Sequence, residues 1–227
     1  MKIVILAAGK GSRLGGNDLP KPLTSLLDGK SIMQHQITSL ERYFSREDIL
    51  VVVGYHKEAI MEAMDDLLFV YSPHYALENT SKSLLRAIKK VHEDLLWING
   101  DVVFHPQILE KVVSLKRNTM VVTVGDVGEE EVKYISDESG KIKEVSKQVK
   151  HGEGEAVGIN FFTADSLPIL QEQLEACHDN DYFEKAIEKS IQKGLNVWIC
   201  PVERTLCTEI DFPEDLIRAK KLMETWS

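Results

Sequence analysis

Cysteine is scarce in this chain: three residues in 227, none paired as C-x-x-C, which excludes a disulfide framework and a zinc-finger spacing. Cys177, Cys200 and Cys207 read instead as reduced, structural thiols of a cytoplasmic protein. Long apolar runs are missing too. Residues 1–8 are apolar but fall far short of the roughly 20 residues that cross a bilayer. No cleavage region follows them, so neither a membrane partner nor a signal peptide is expected. Basic charge is in deficit, with 27 Lys and Arg against 36 Asp and Glu and a net charge of −9. That is the reverse of a nucleic-acid footprint, so no nucleic-acid partner is expected. Acidity does not exclude an anionic substrate. It requires that phosphate be met by locally placed Lys, Arg and backbone N–H groups. Repeats, low-complexity stretches and linkers are also lacking, and residues 1–227 read as one domain.

What is present is an alternation of buried strands and amphipathic helices. Continuous β-branched or apolar runs at 2–6, 49–53, 94–98, 120–124 and 156–162 predict strands. Helical periodicity falls between them, near 31–40, 57–64, 81–92, 106–115, 164–176 and 182–192. Ser31 suits the N-cap of the first helix, and a last helix over 213–223 begins at Pro213, with Asp211 or Phe212 before it. This order predicts an α/β fold: a Rossmann-like mixed, mostly parallel sheet with helices on both faces. A small β-hairpin extension is expected at 132–135 and 141–145, around the turn signal 137–140.

The segment after the first strand, Ala7-Ala-Gly-Lys-Gly-Ser-Arg-Leu-Gly-Gly16, is too glycine-rich for regular structure. Such a turn offers backbone N–H groups to a phosphate. Its spacing fits neither G-x-G-x-x-G, because Leu14 stands at the sixth position, nor a P-loop. Asn99-Gly-Asp101 follows the strand at 94–98, which puts a carboxylate at the edge where open α/β sheets bind ligands. Glu209-Ile-Asp211 precedes the last helix and can supply a second carboxylate; Mg2+ on a nucleoside triphosphate takes one or two, with phosphate oxygens. Taken alone, either aspartate is equally a loop or capping residue. Asn79 or Thr80 caps the helix near 81, whose N–H groups are expected to face the same edge.

The wording of these segments is specific. Leu6-Ala-Ala-Gly-Lys-Gly-Ser-Arg-Leu14 followed by Pro20-Lys-Pro-Leu23 resembles the signature of the sugar-phosphate nucleotidyltransferase superfamily. The resemblance extends in order to Asp211, and it is nearest to the small CTP-dependent cytidylyltransferases of the phosphocholine type. It implies the nucleotide-diphospho-sugar transferase fold, with the hairpin on the acceptor side. It further implies that Leu6, Ala7, Ala8, Gly9, Gly11 and Ser12 wrap the nucleotide with Gly100. Arg13 and Lys21 would meet the triphosphate, and Asp101 and Asp211 would hold Mg2+. Segment 78–84 resembles the region bordering nucleobase and acceptor, which implies roles there for Asn79 and Ser81. Lys147 and Glu155, around a Gly-Glu-Ala-Val-Gly strand, are implied acceptor ligands, with Glu209 and Tyr182; Tyr182 and Phe183 offer an aromatic wall to a cationic acceptor or, by helical spacing, pack in the core.

The implied reaction is transfer of CMP from CTP to a small phosphorylated metabolite (phosphocholine, aminoethylphosphonate, a polyol phosphate or a phosphorylated amino-acid amide). Pyrophosphate would be released. One departure from the family pattern is the loop Gly15-Gly-Asn-Asp18, where hexose-1-phosphate enzymes carry Pro and Thr and a longer connection. A hexose-1-phosphate uridylyl- or thymidylyltransferase remains an alternative, as does a silent nucleotide-binding regulatory module. A homodimer is left open.

Overall fold

The structure, a computed structural model, describes residues 1–11, 14, 19–27 and 29–226. The chain opens with β1 (Lys2–Ala7) and a short 3-10 turn, Lys21–Leu23, and continues into α1 (Ile32–Leu40). Then come β2 (Ile49–Val53), α2 (Lys57–Ala63), β3 (Leu68–Tyr71), α3 (Thr80–Ile88), β4 (Leu95–Asn99) and β5 (Val102–Phe104). The middle of the chain forms α4 (Gln107–Ser114), β6 (Thr119–Val124), the hairpin β7 (Lys133–Ser136) and β8 (Ile142–Ser146), and β9 (Gly154–Phe162). Last are α5 (Leu167–Glu175), α6 (Phe183–Gln192), β10 (Trp198–Val202), β11 (Cys207–Glu209) and α7 (Pro213–Glu224).

Among the described residues the main sheet runs β10-β6-β9-β4-β1-β2-β3, with the β7–β8 hairpin attached through β9. β1 pairs in parallel with β2 and β4, and β6 with β10. Only β9 runs antiparallel within that path, between β4 and β6, so the sheet is mixed and mostly parallel, as the sequence predicts.

Strand alternation explains the two layers. In β1, Val4 and Leu6 face a core completed by Leu84 and Ile88 of α3, Leu170 of α5 and Ile187 of α6. Ile3 and Ile5 face the other way, onto Met33 and Ile37 of α1, Ile60 of α2 and Leu109 of α4. A strand buried on both faces needs the unbroken apolar run that the sequence displays. Fully burying each such side chain contributes about 1.5–3 kcal/mol. Ser31 caps α1 as expected: its Oγ accepts from Gln34 N–H at 3.1 Å, and Ser31 N–H donates to Gln34 Oε1 at 2.8 Å.

A third, smaller cluster (Leu26, Ile32, Val103, Ile210 and Ala219) ties the segment after the Lys21 turn to α1, β5 and α7. It lies under the ribbon formed by β5 and β11, two three-residue strands that pair antiparallel with Glu209 opposite Val102. All three cysteines are free and buried. Among the described residues no helix is long and apolar enough to cross a membrane.

Candidate active site

Two parallel strands end side by side at the carboxyl edge, with Leu6 of β1 opposite Asn99 of β4. The loops leaving them must therefore touch. Gly100 N–H donates to Leu6 C=O at 2.9 Å, and a Cβ at Gly100 would lie 2.8 Å from that oxygen, so only glycine allows the approach. Gly11 has φ +57° and a Cβ there would meet Lys21 Cβ at 2.7 Å, so the glycine-rich loop and the Lys21 turn also demand a missing side chain where they cross.

The β5–β11 ribbon carries the rest. It brings Asp101, just before β5, beside the segment after β11, and Ile210 N–H donates to Asp101 C=O at 3.0 Å. Asp215, in the first turn of α7, accepts from the N–H groups of Asp211 and Phe212 at 3.0 and 2.8 Å and fixes the second aspartate's backbone. Gln36 of α1 is wholly buried and donates to the C=O groups of Asn99 and Val102, both at 2.8 Å, bracing the turn that presents Asp101.

Into this frame Lys21 projects its ammonium. Nζ lies 2.8 Å from Asp101 Oδ2 and 2.6 Å from Asp211 Oδ1, and the side chain is only 8% exposed. Burial alone would lower its pKa; the two carboxylates outweigh that and hold it above the ordinary lysine value. Residues 21, 101 and 211, up to 190 positions apart, thus share one contact.

Around this trio lies a cleft of about 690 Å³, lined by Leu6, Ala7, Gly9, Gly11, Asn79, Gly100, Lys147, Tyr182 and Glu209 of the sequence-predicted residues. Lys147 Nζ stands 4.7 Å above the Tyr182 ring. Tyr182 is 40% exposed, whereas Phe183 is buried edge-on to Trp97. Both residues border the cleft, Tyr182 with its ring exposed and Phe183 as part of the core behind it. Three predicted residues stand back from the cleft wall. Ala8 is buried, with its C=O accepting from Tyr55 N–H at 3.0 Å. Ser81 is wholly buried. Glu155 Oε1 accepts from Thr123 Oγ1 at 3.1 Å. The expected N–H donors of α3 are already engaged: Thr80 N–H with Asn79 Oδ1 at 2.8 Å, Ser81 N–H with Asp181 C=O at 3.3 Å. Asn79 is the N-cap, and it lines the cleft together with Thr80. Ser12 and Arg13 lie outside the described residues.

The carboxylates of the wall are unevenly charged. Burial, reinforced by Asp101, Asp211, Glu131 and Glu184, pushes Glu209 well above the usual carboxylate range. Burial, with Glu155 and Asp211, also raises Glu131. Glu184, in the first turn of α6, is 7% exposed and burial raises it to about 7. Sequence reasoning missed Glu184 and Glu131. For Glu184 a signal existed, since it stands three residues before the buried Ile187, on a face where the helical pattern calls for an apolar side chain. Glu131 carried none, in a run of three glutamates that reads as solvated.

Comparison with known proteins gives the family. The model of the MobA-like NTP transferase domain matches residues 3–192. The chain belongs to that family. A CMP-5'-(3-aminopropyl)phosphonate synthase of Streptomyces rubellomurinus is 26% identical over 95% of this chain, which spans 37% of that relative's length. A UTP–glucose-1-phosphate uridylyltransferase of Haloferax volcanii is 28% identical, covering 99% of this chain and 97% of its own. The fold is shared with the CTP:phosphocholine cytidylyltransferase of Streptococcus pneumoniae (TM-score 0.82, 21% identity, 98% of both chains). It is shared equally with the inositol-1-phosphate CTP transferase of T. maritima (TM-score 0.83, 21% identity, 99% and 95%). Lys21 and Asp101 fall within the stretch that the family model matches, and Asp211 lies beyond it.

Proposed function

We propose that this MobA-like domain is a magnesium-dependent cytidylyltransferase, which passes CMP from CTP to a small phosphorylated or phosphonate acceptor and releases pyrophosphate. The observation that carries the reading is the contact of Lys21 with both Asp101 and Asp211 at the mouth of a nucleotide-sized cleft. Asp101 and Asp211 would hold Mg2+. They fit it: one cation already touches both carboxylates, and Asp101 Oδ1 is buried with no hydrogen-bond partner among the described residues. When bound, Mg2+ supplies positive charge against the triphosphate.

The other steps fall to the chain itself. The glycine-rich loop after β1 wraps the nucleotide, with Arg13 toward the outer phosphates. Lys21, freed from its aspartates, stabilises charge that builds on the α-phosphate. Lys147 orients the acceptor phosphate. An acceptor phosphate or phosphonate oxygen is ionised at neutral pH, so attack on the α-phosphorus needs no general base; positioning and charge neutralisation supply the catalysis.

CTP is favoured because the CMP-forming relative aligns with nearly the whole chain. A second reading, uridylyl transfer to a hexose 1-phosphate, draws on the relative that matches end to end. A matrix of the four NTPs against aminoalkylphosphonates, phosphocholine, inositol phosphate and glucose 1-phosphate separates them, read as pyrophosphate release with Mg2+ or EDTA. We expect turnover with CTP and a non-hexose acceptor, abolished by EDTA. Preference for UTP and glucose 1-phosphate would replace the first reading by the second.

A further inference from the structure

Two helices begin at the cleft, α3 behind Asn79 and α6 behind Tyr182. The first N–H groups of a helix have no partner within it and need one from outside. At α6 the capping position belongs to Tyr182, whose side chain makes no cap. Its hydroxyl stands at the far end of a rigid ring, whereas a cap calls for a short side chain such as Ser, Thr, Asp or Asn. The cap comes from the neighbouring helix: Phe183 N–H donates to Thr80 Oγ1 at 3.1 Å, across 103 positions of sequence. The fastening is reciprocal. Asn79 and Ser81 N–H, at the start of α3, donate to the C=O groups of Asp179 and Asp181 at 2.7 and 3.3 Å.

The borrowed cap holds the end of α6 that faces the cleft. Tyr182 stands one residue before the bonded amide, and its exposed ring carries the Lys147 ammonium 4.7 Å from its centroid. Lysine offers a point charge on a flexible four-carbon stem, so a ring face that seats the ammonium gives the charge a fixed place. The contacts form a chain. Thr80 Oγ1 holds the Tyr182–Phe183 peptide, that peptide aims the Tyr182 ring, and the ring seats Lys147 Nζ. Lys147 itself follows β8, on another part of the cleft wall, and is the group that the proposed reaction turns toward the acceptor phosphate.

We infer that Thr80 is a positioning residue: by capping α6 from the neighbouring helix it sets the Tyr182 ring, and through that ring the Lys147 ammonium that meets the acceptor phosphate. This rests on the nucleotidyl-transfer reading and deepens it, because a residue of α3 then governs how the acceptor is held. Thr80 acts at a distance of two contacts, whatever the acceptor carries beyond its phosphate.

Thr80→Val keeps the branched shape but cannot accept a hydrogen bond, and Thr80→Ser keeps the hydroxyl. Kinetics are read with Mg2+ and the best NTP and acceptor of the substrate matrix, CTP with phosphocholine first. Thr80→Val is expected to raise the acceptor KM about tenfold, as for a lost helix cap. The NTP KM and kcat should stay within about twofold, and Thr80→Ser should restore the acceptor KM to within about threefold. In a Lys147→Ala background Thr80→Val should add less than about twofold, because the two residues act in one chain. A lower Tm with an unchanged acceptor KM would show a cap that serves the fold alone and overturns the inference. An NTP KM that rises as far as the acceptor KM overturns it too, since Thr80 would then touch the nucleotide. The same factor with and without Lys147 overturns the route through the lysine. Nuclear magnetic resonance reads that route without turnover: a ring above the ammonium shifts the Lys147 ε-methylene protons upfield. The shift should fall away in Thr80→Val and persist in Thr80→Ser, and a shift unchanged in Thr80→Val overturns the positioning role. Absence of transfer from any NTP to any acceptor counts against the enzymatic reading, and the same proton shift then still decides whether Thr80 places Lys147.

Discussion

In the proposed reaction Lys21 and Asp101 each act through one charged group, and replacing either removes a charge from their shared contact. Lys21→Ala and Asp101→Ala are each expected to lower kcat by about a hundredfold or more while the fold persists, as for other lost electrostatic stabilisers. Steady-state kinetics beside a circular-dichroism spectrum checks this, and near-normal turnover in either variant would remove that residue from the mechanism. Glu184 gives a different residue-scale outcome. Burial, opposed by a hydrogen bond from its own backbone and more weakly by Lys147, raises its carboxyl to about 7 against 4.5 in the unfolded chain. The folded protein therefore holds this proton more tightly, and stability falls as pH rises from about 4.5 to about 7 and is level above that. The loss approaches about 3 kcal/mol. Glu184→Gln does not titrate, so its Tm should exceed that of the parent at pH 8 and approach it at pH 5. A gap independent of pH would contradict the burial account.

The elements show how far the sequence could be read. Strands β1, β2 and β4 announce themselves because burial on both faces demands unbroken apolar runs, and α1 is marked by its Ser31 cap. β5 and β11 were not legible as a pair. Three residues carry no periodicity, and their pairing depends on a contact between positions more than 100 residues apart. That ribbon is nonetheless what turns two aspartate motifs into one site. The motifs, by contrast, were readable from their wording, and Lys21, Asp101, Asp211 and Lys147 converge on the cleft. Ser81 was misjudged because a capping segment looks exposed in sequence, whereas the 179–181 loop packs over it. Gln36 escaped notice as an ordinary polar residue on a helix. Removing its amide in Gln36→Met leaves the C=O groups of Asn99 and Val102 unpaired in the interior. We expect a loss of about 1–3 kcal/mol, seen as a Tm lower by several degrees, together with a fall in kcat as the Asp101 turn loosens. A variant with unchanged kcat would show that Gln36 braces the fold alone.

At the scale of the whole molecule, a protein of net charge −9 has to admit a triphosphate, and its resting state has settled the conflict internally. Lys21 stands on the two carboxylates that a divalent ion would take. A free metal ion must displace that ammonium, whereas a metal arriving on a nucleotide brings phosphates that can receive it. For the proposed reaction we therefore expect nucleotide and metal to enter together, with the phosphates receiving the displaced lysine. Electron paramagnetic resonance with Mn2+ reads this directly. The parent protein should take up little Mn2+ until CTP is added, while Lys21→Ala should bind the bare ion more tightly and gain less from the nucleotide. Equal Mn2+ affinity in the two proteins would show that the lysine guards nothing.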